Sequence, residues 1–425
     1  MIDARPLPLP FGWTEHPYRP FIHAETHARP VPPVGAPATI RRVAFMSADR
    51  GKDLAELHRR MWNLAGMAEG ASAWSRQLSF EAYDLNVTWE MHNEFVTLTW
   101  KSPQEERRIW PEGIGLEWHA GLGFVAAVEI DVLAAETIAE ADLARFAPFS
   151  LCRSSIYGGR AEIATDFLPN SEQFVRFSVA AGRCGAQRSG VIVRRLLEIE
   201  TYRCIALLGL PVARQLGAKV QTYEAGLSRI MREIGEQSSA EAHRHALTDL
   251  HALSVEASST VEDTGFRFAA TQAYGEILAN RLMRLGETPI DETTTLARYL
   301  DNRIQPALAT CRAMEKRLAE LTAKVQRSIE LLDATITVSI QTQNQAVLDT
   351  ILRTAQSQYR LQETVEGLSI IAISYYLLGI LGYVLEGVHD SLPVGKPLLL
   401  AILAPAVIVM VFLLIRRLRR AKRVS

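Results

Sequence analysis

Two uncharged apolar stretches near the carboxy terminus, Leu368 to Leu385 and Leu398 to Ile415, constrain this chain more than any other feature. Each holds about 18 residues, which at roughly 1.5 Å per residue nearly crosses a hydrocarbon core of about 30 Å. Lipid offers the backbone no hydrogen-bond partner, so both runs are expected as helices paired in a hairpin, with Pro405 a tolerated kink. Arg416, Arg417, Arg419, Arg420, Lys422 and Arg423 follow the second run, whereas the loop between the runs carries only Glu386, His389, Asp390 and Lys396. That asymmetry predicts a cytoplasmic tail in a bacterial inner membrane. With two spans, everything before Leu368 is then cytoplasmic as well. Met1 to Pro20 holds proline and arginine where a secretory signal would need an apolar core, so no signal peptide is read there.

The remainder reads as globular. A chain of 425 residues with 48% apolar content can bury a large core. A net charge of -1 carries no nucleic-acid signature. Cys152, Cys184, Cys204 and Cys311 stand alone, as expected of reduced thiols, and no zinc-type spacing links them.

The fold class expected is α+β. Residues 1–38 are rich in proline and read as a docking arm. A cytoplasmic domain follows over residues 39–190. Thr39 to Met46 is a strand, and Asp53 to Met67 is a helix with Leu54, Leu57, Met61 and Leu64 on one face. From Arg76 to Trp100 the period falls to two, and Met91-His92-Asn93-Glu94 separates two strands of a hairpin. Further strands are expected at Gly123 to Val132, around Ile156 to Ile163 and at Gln173 to Val179, with a short helix near Glu136 to Phe146. Gly185 and Gly190, flanking Gln187-Arg188, suggest a turn.

Residues 191–310 read as helical, with breaks near Gly209, Gly235, Gly265 and Gly286 and a kink or split at Pro306. Over residues 311–367, Leu318, Ile329, Ile340 and Ile351 recur every eleven positions, and Val325, Ile336 and Val347 form a second row. That period suits a long, nearly straight helix. It reads as a stalk of about 80 Å entering the first span, and its stripe serves packing within the chain or between subunits. Residues 386–397 are the expected periplasmic loop and residues 416–425 the basic tail.

The phrases Gln362-Glu363-Thr364-Val365-Glu366-Gly367-Leu368-Ser369, Ala372-Ile373-Ser374-Tyr375-Tyr376 and His27-Ala28-Arg29-Pro30 resemble those of an uncharacterised bacterial family of predicted membrane-anchored proteins, over essentially the whole chain. The order of parts is also similar to that of CorA-type magnesium and cobalt transporters: a cytoplasmic α/β domain, a stalk, two spans and a basic tail. Those transporters end their first span with Gly-Met-Asn; here the stretch reads Gly382-Tyr383-Val384, and only the glycine is kept. Val384 offers a hydrated cation no side-chain oxygen.

Pore or membrane candidates are Ser374, Tyr375, Tyr376, Gly382, Tyr383, Glu386 and Asp390. His23, Glu25 and His27 could ligate a metal, although the HxExH spacing and nearby prolines suit docking better. Arg29 is a candidate contact for a phosphate or carboxylate. Glu241, His245 and Asp249 share one helical face and could hold a metal or a proton; a solvated face looks the same. No phosphate-loop, nucleophile-elbow or HExxH motif occurs. The expected protein is a membrane-anchored homo-oligomer in contact with the lipid bilayer. A divalent-cation channel of CorA-like build is the first alternative, and a tethered scaffold or enzyme the second.

Overall fold

The computed structural model describes residues 13–14, 16–19, 22–23, 30–47, 52–66, 76–82, 84–102, 111, 114, 122–236, 239–388 and 396–422. Two compact units emerge, one from Met1–Glu236 with Thr248–Ser328, the other from Gln237–Leu247 with Ile329–Ser425.

The first unit is built on one sheet. Its strands are β1 (Ala38–Ser47), β2 (Gln77–Ala82), β3 (Leu85–Met91), β4 (Phe95–Ser102), β5 (Leu122–Leu133), β6 (Cys152–Ile156), β7 (Ala161–Pro169), β8 (Val175–Ala180) and β9 (Thr288–Pro289). They lie in the order β2-β3-β4-β1-β5-β8-β7-β6-β9. Every pairing is antiparallel except β5 with β8. Side chains alternate across such a sheet, so each strand serves two cores. One face sets Val43, Leu98, Trp100 and Trp89 against Leu54, Leu57 and Met61 of α1 (Lys52–Leu64). Farther along that sheet, Leu143 of the one-turn α2 (Glu140–Leu143) packs with Ala164 and Ala180. The other core gathers Ile40, Val128, Ile130, Phe177 and Val179 with Ile192, Leu196 and Ile199 of α3 (Ala186–Leu207).

Three long helices follow, α4 (Gly209–Glu236), α5 (Ala240–Met283) and α6 (Leu296–Val388); α4, α5 from Thr248 and α6 up to Ser328 belong to this unit. Side-chain bonds join them pairwise. Tyr223 meets Thr260 at 3.1 Å, and Arg317 clasps Glu224, with Nε 2.8 Å from one carboxylate oxygen. Glycines let the backbones approach closely: a Cβ on Gly209 would lie 2.3 Å from the Thr271 hydroxyl, and one on Gly275 would lie 2.7 Å from Leu308.

Several expectations need correction. The Gly185 to Gly190 stretch is no free turn, because α3 begins at Ala186. The region from Ile156 to Ile163 is the end of β6, a turn and the start of β7 rather than one strand. Helix α5 runs through Gly265 without a break, with Ala257 and Phe268 buried on either side of it. Helix α6 runs through Pro306, where buried Ile304, Ala307 and Leu308 hold the turn against the lost backbone bond. In both places packing outweighs a local preference of about 1–3 kcal/mol.

The second unit contains the later part of α6 and α7 (Lys396–Lys422). Both helices are long and apolar enough to cross a membrane, and their most apolar windows are only 6% and 11% buried. The core hairpin of a water-soluble domain would be covered, so this apolar surface faces outward instead. Among the described residues of the two apolar runs, Ser374, Val407 and Val411 are buried. Along α6 the eleven-residue stripe changes character: Leu318, Val325 and Ile329 are buried, while Ile340, Val347 and Ile351 are exposed.

Candidate functional site

The expected membrane residues occupy one stretch of α6. Tyr375 and Tyr376, at the middle of the first apolar run, are 75% and 70% exposed. With Gly379, Tyr383, Leu400 and Ala404 they line an open groove on the hairpin. Ser374 is buried instead, and its hydroxyl oxygen has no hydrogen-bond partner among the described residues. A Cβ on Gly382 would meet nothing within 4 Å. Glu386 is exposed near the end of α6, and Asp390 lies outside the described residues.

The proposed metal ligands are dispersed. Glu241, His245 and Asp249 are exposed along α5, and His23 is exposed. Glu25, His27 and Arg29 lie outside the described residues. Among the described residues no group of three or more histidine, cysteine or acidic side chains is placed to hold a metal ion.

A site that sequence reasoning missed sits on the sheet. Consecutive β1 residues Arg41 and Arg42 point to opposite faces, and each finds a buried glutamate: Arg41 Nε lies 2.8 Å from Glu129, and Arg42 Nη2 lies 2.8 Å from Glu90. Arg42 also donates Nε to the Thr99 hydroxyl at 2.7 Å, its register partner on β4. Glu90 faces Arg194 at 3.8 Å; Arg194 in turn donates to Glu198 at 2.9 Å, and Arg281 meets the other oxygen of Glu198. The result is a row of alternating charges from the sheet through α3 to α5. Breaking such a row strands a charge in a low-dielectric interior, which is why its members depend on one another.

Arg42, Glu90 and Arg194 of this row line a cavity of about 400 Å³, within the range of small-molecule sites. Ile40, Val193 and Leu197 supply apolar lining, and Asn86, Thr88 and Lys101 supply polar groups. Pro30, Pro32 and Pro33 cover one side. The covering segment is held by Val34, whose amide donates to the Ala186 carbonyl at 2.9 Å, and by Gly190, where a Cβ would stand 2.2 Å from the Pro32 carbonyl oxygen. Residues 30–34 thus dock on α3 of their own chain. The sequence signal was the Arg41-Arg42 pair inside an apolar strand and Glu90 inside another.

Away from this cavity, burial is the largest cause of the shifts of several titrating groups. Burial, helped by Glu287, pushes the Cys152 thiol up to about 12, and burial also raises Cys204 and Cys311. None of these three is a thiolate at neutral pH. Burial lowers the pKa of His58, whose Nδ1 accepts a bond from Trp89 Nε1 at 3.1 Å and so is unprotonated there. Burial first, then the neighbouring Glu129, holds the Asp131 carboxyl above the usual range.

No curated protein matches the chain. A family model does, over residues 14–422, which includes the sheet, the helical bundle and both apolar helices. With nearly its whole length matched, the chain belongs to the family described as "Protein of unknown function (DUF3422)".

Proposed function

We propose that this is an inner-membrane protein, tethered by α6 and α7, whose copies assemble along α6 and whose sheet-bearing unit lies in the cytosol. The observation that carries this reading is the exposure of Tyr375 and Tyr376 at mid-span. A hydroxyl without a partner in hydrocarbon costs several kcal/mol, and the partner span leaves these two uncovered. A second copy of the same helix supplies both cover and hydrogen-bonding groups, its own exposed Tyr375 and Tyr376 hydroxyls among them.

The exposed part of α6 before the span supports the same reading. From Ala334 to Leu348 the sequence contains no charged residue. A symmetric contact brings each side chain near its own copy, where like charges would repel, so a self-associating face is expected to lack them. The basic residues after Ile415 support the cytosolic placement.

The test is the mass of the full chain in detergent, with bound detergent subtracted, at several protein concentrations. A fixed multiple of the chain mass is expected. A monomer at every concentration would sink the proposal. A ring of about five copies would favour the second reading, conduction of divalent cations, because exposed mid-span hydroxyls would then face a shared axis. Flux assays with magnesium and cobalt separate that reading from assembly alone.

A further inference from the structure

Within the sheet-bearing unit, positive charge gathers where the turn between β6 and β7 meets the start of α3. Arg160, Arg183, Arg188 and Arg195 line one open concavity of about 620 Å³, and no carboxylate lines it. The chain as a whole carries 46 basic and 47 acidic residues, so this segregation is not a consequence of composition.

Local structure fixes the arginines in place. Tyr157, Gly158 and Gly159 have φ of 53°, 66° and 84°, a left-handed turn that sets Arg160 at its exit. The Cys184 thiol donates to the Arg160 carbonyl at 3.5 Å, joining that turn to the loop before α3. Arg195 reaches back to the Tyr157 hydroxyl and donates to the Arg284 carbonyl at 2.8 Å. The guanidinium carbons of Arg188 and Arg195 each lie 5.7 Å from the centre of the Tyr157 ring.

Of the four, among the described residues, only Arg183 has an acidic partner, Glu136. Arg160 and Arg188 make no ion pair among the described residues. Four guanidinium groups against one carboxylate leave three positive charges uncompensated. The first turn of α3 contains no acidic residue, and Gly185 provides no side-chain cap, so the helix dipole adds to these charges instead of opposing them. Arginine offers paired donors matched to phosphate oxygens. The concavity is also wide enough for a phosphate together with the group it is attached to.

We propose that this concavity binds the phosphate of a phosphate-bearing ligand, with Arg160 and Arg188 supplying free guanidinium groups and Tyr157 spacing Arg188 from Arg195. The phosphate comes either from a soluble ester or diphosphate or from a lipid headgroup; the chemistry of recognition is shared.

Cys184 lines the concavity and serves as a reporter. Cys152 and Cys311 are buried, and burial suppresses the Cys204 thiolate. The full chain in neutral detergent is labelled with a maleimide, and the rate at Cys184 is followed by peptide mass spectrometry. One arm adds inorganic pyrophosphate, with chloride at matched ionic strength as control. The other compares nanodiscs of phosphatidylcholine with and without phosphatidic acid.

Protection by pyrophosphate assigns a soluble ligand; protection only in phosphatidic-acid discs assigns a lipid headgroup. In either case Arg160→Gln with Arg188→Gln must weaken protection, measured against the double variant's own unliganded labelling rate, by about tenfold per arginine removed, leaving the thermal midpoint unchanged. Absence of protection in both arms overturns the proposal. So does protection that chloride reproduces or that survives in the double variant.

Discussion

Replacing Gly190 by alanine tests whether the proline segment is seated on α3 as described. In an open helix position, Gly→Ala stabilises by about 1 kcal/mol, because alanine loses less backbone entropy. At Gly190 the new Cβ would stand 2.2 Å from the Pro32 carbonyl oxygen, a backbone atom that can yield only if the whole segment lifts. Lifting exposes Val34, which is buried, and breaks its amide bond to Ala186. Burial of a valine is worth about 1.5–3 kcal/mol and the hydrogen bond about 1 kcal/mol. After subtracting the propensity gain, Gly190→Ala should destabilise by about 1.5–3 kcal/mol, or a few degrees in midpoint for a unit of this size. The assay is thermal unfolding of the solubilised chain followed by tryptophan fluorescence, since Trp89 and Trp100 are buried in the same sheet. Gly226→Ala on α4, where nothing lies within 4 Å, is the matched control and should be neutral or stabilising. If both substitutions move the midpoint the same way, the close contact with Pro32 is wrong.

Glu90→Gln removes a charge shared by Arg42 and Arg194 and should destabilise by roughly 3 kcal/mol, while the double replacement Arg42→Met with Glu90→Leu recovers most of that loss; equal midpoints for the single and double variants would refute the coupling. The Asp131 carboxyl is held above its ordinary value, so the folded state binds that proton more tightly than the unfolded chain. Its contribution to stability is complete below the ordinary carboxylate range and is lost as pH rises through the raised value. Asp131→Asn should therefore stabilise the protein at about pH 7 and change little in acid, as read from urea midpoints across pH. Val325→Asp places a charge at a buried position of the α6 stripe and should cost at least about 4 kcal/mol. Ile340→Asp, at an exposed position of the same stripe, should leave the thermal midpoint alone and lower the mass of the detergent-solubilised complex.

Much of the fold was legible because it depends on period and punctuation. The two strands around His92 to Glu94, the single strand from Gly123 and the two apolar runs all carry local signals that survive in the structure. The errors cluster where a residue's local preference is overruled at a distance. Pro306 and Gly265 read as breaks, yet both are carried inside helices by buried neighbours whose positions depend on other parts of the chain. Gly190 read as a turn residue; its small size is needed by Pro32, which is remote in sequence. The cavity was invisible for the same reason. Arg42, Glu90 and Arg194 have no common spacing, and only the pairing of β1 with β4 and the packing of α3 bring them together.

The ninth strand has a kinetic consequence. β9 pairs with β6 and brings Glu287 to Ser154 across 133 residues of sequence. The same Glu287 carboxylate accepts the first free amides of α6, from Leu296 at 2.9 Å and Ala297 at 2.8 Å. Closing a loop of that length costs about 4 kcal/mol in chain entropy before any contact rewards it. The edge of β6 therefore stays open until α3, α4 and α5 have turned the chain back upon the sheet. In refolding, protection of the β6 amides on the β9 side should be among the last events, and the interval before it is when one chain's sheet can be extended by another's.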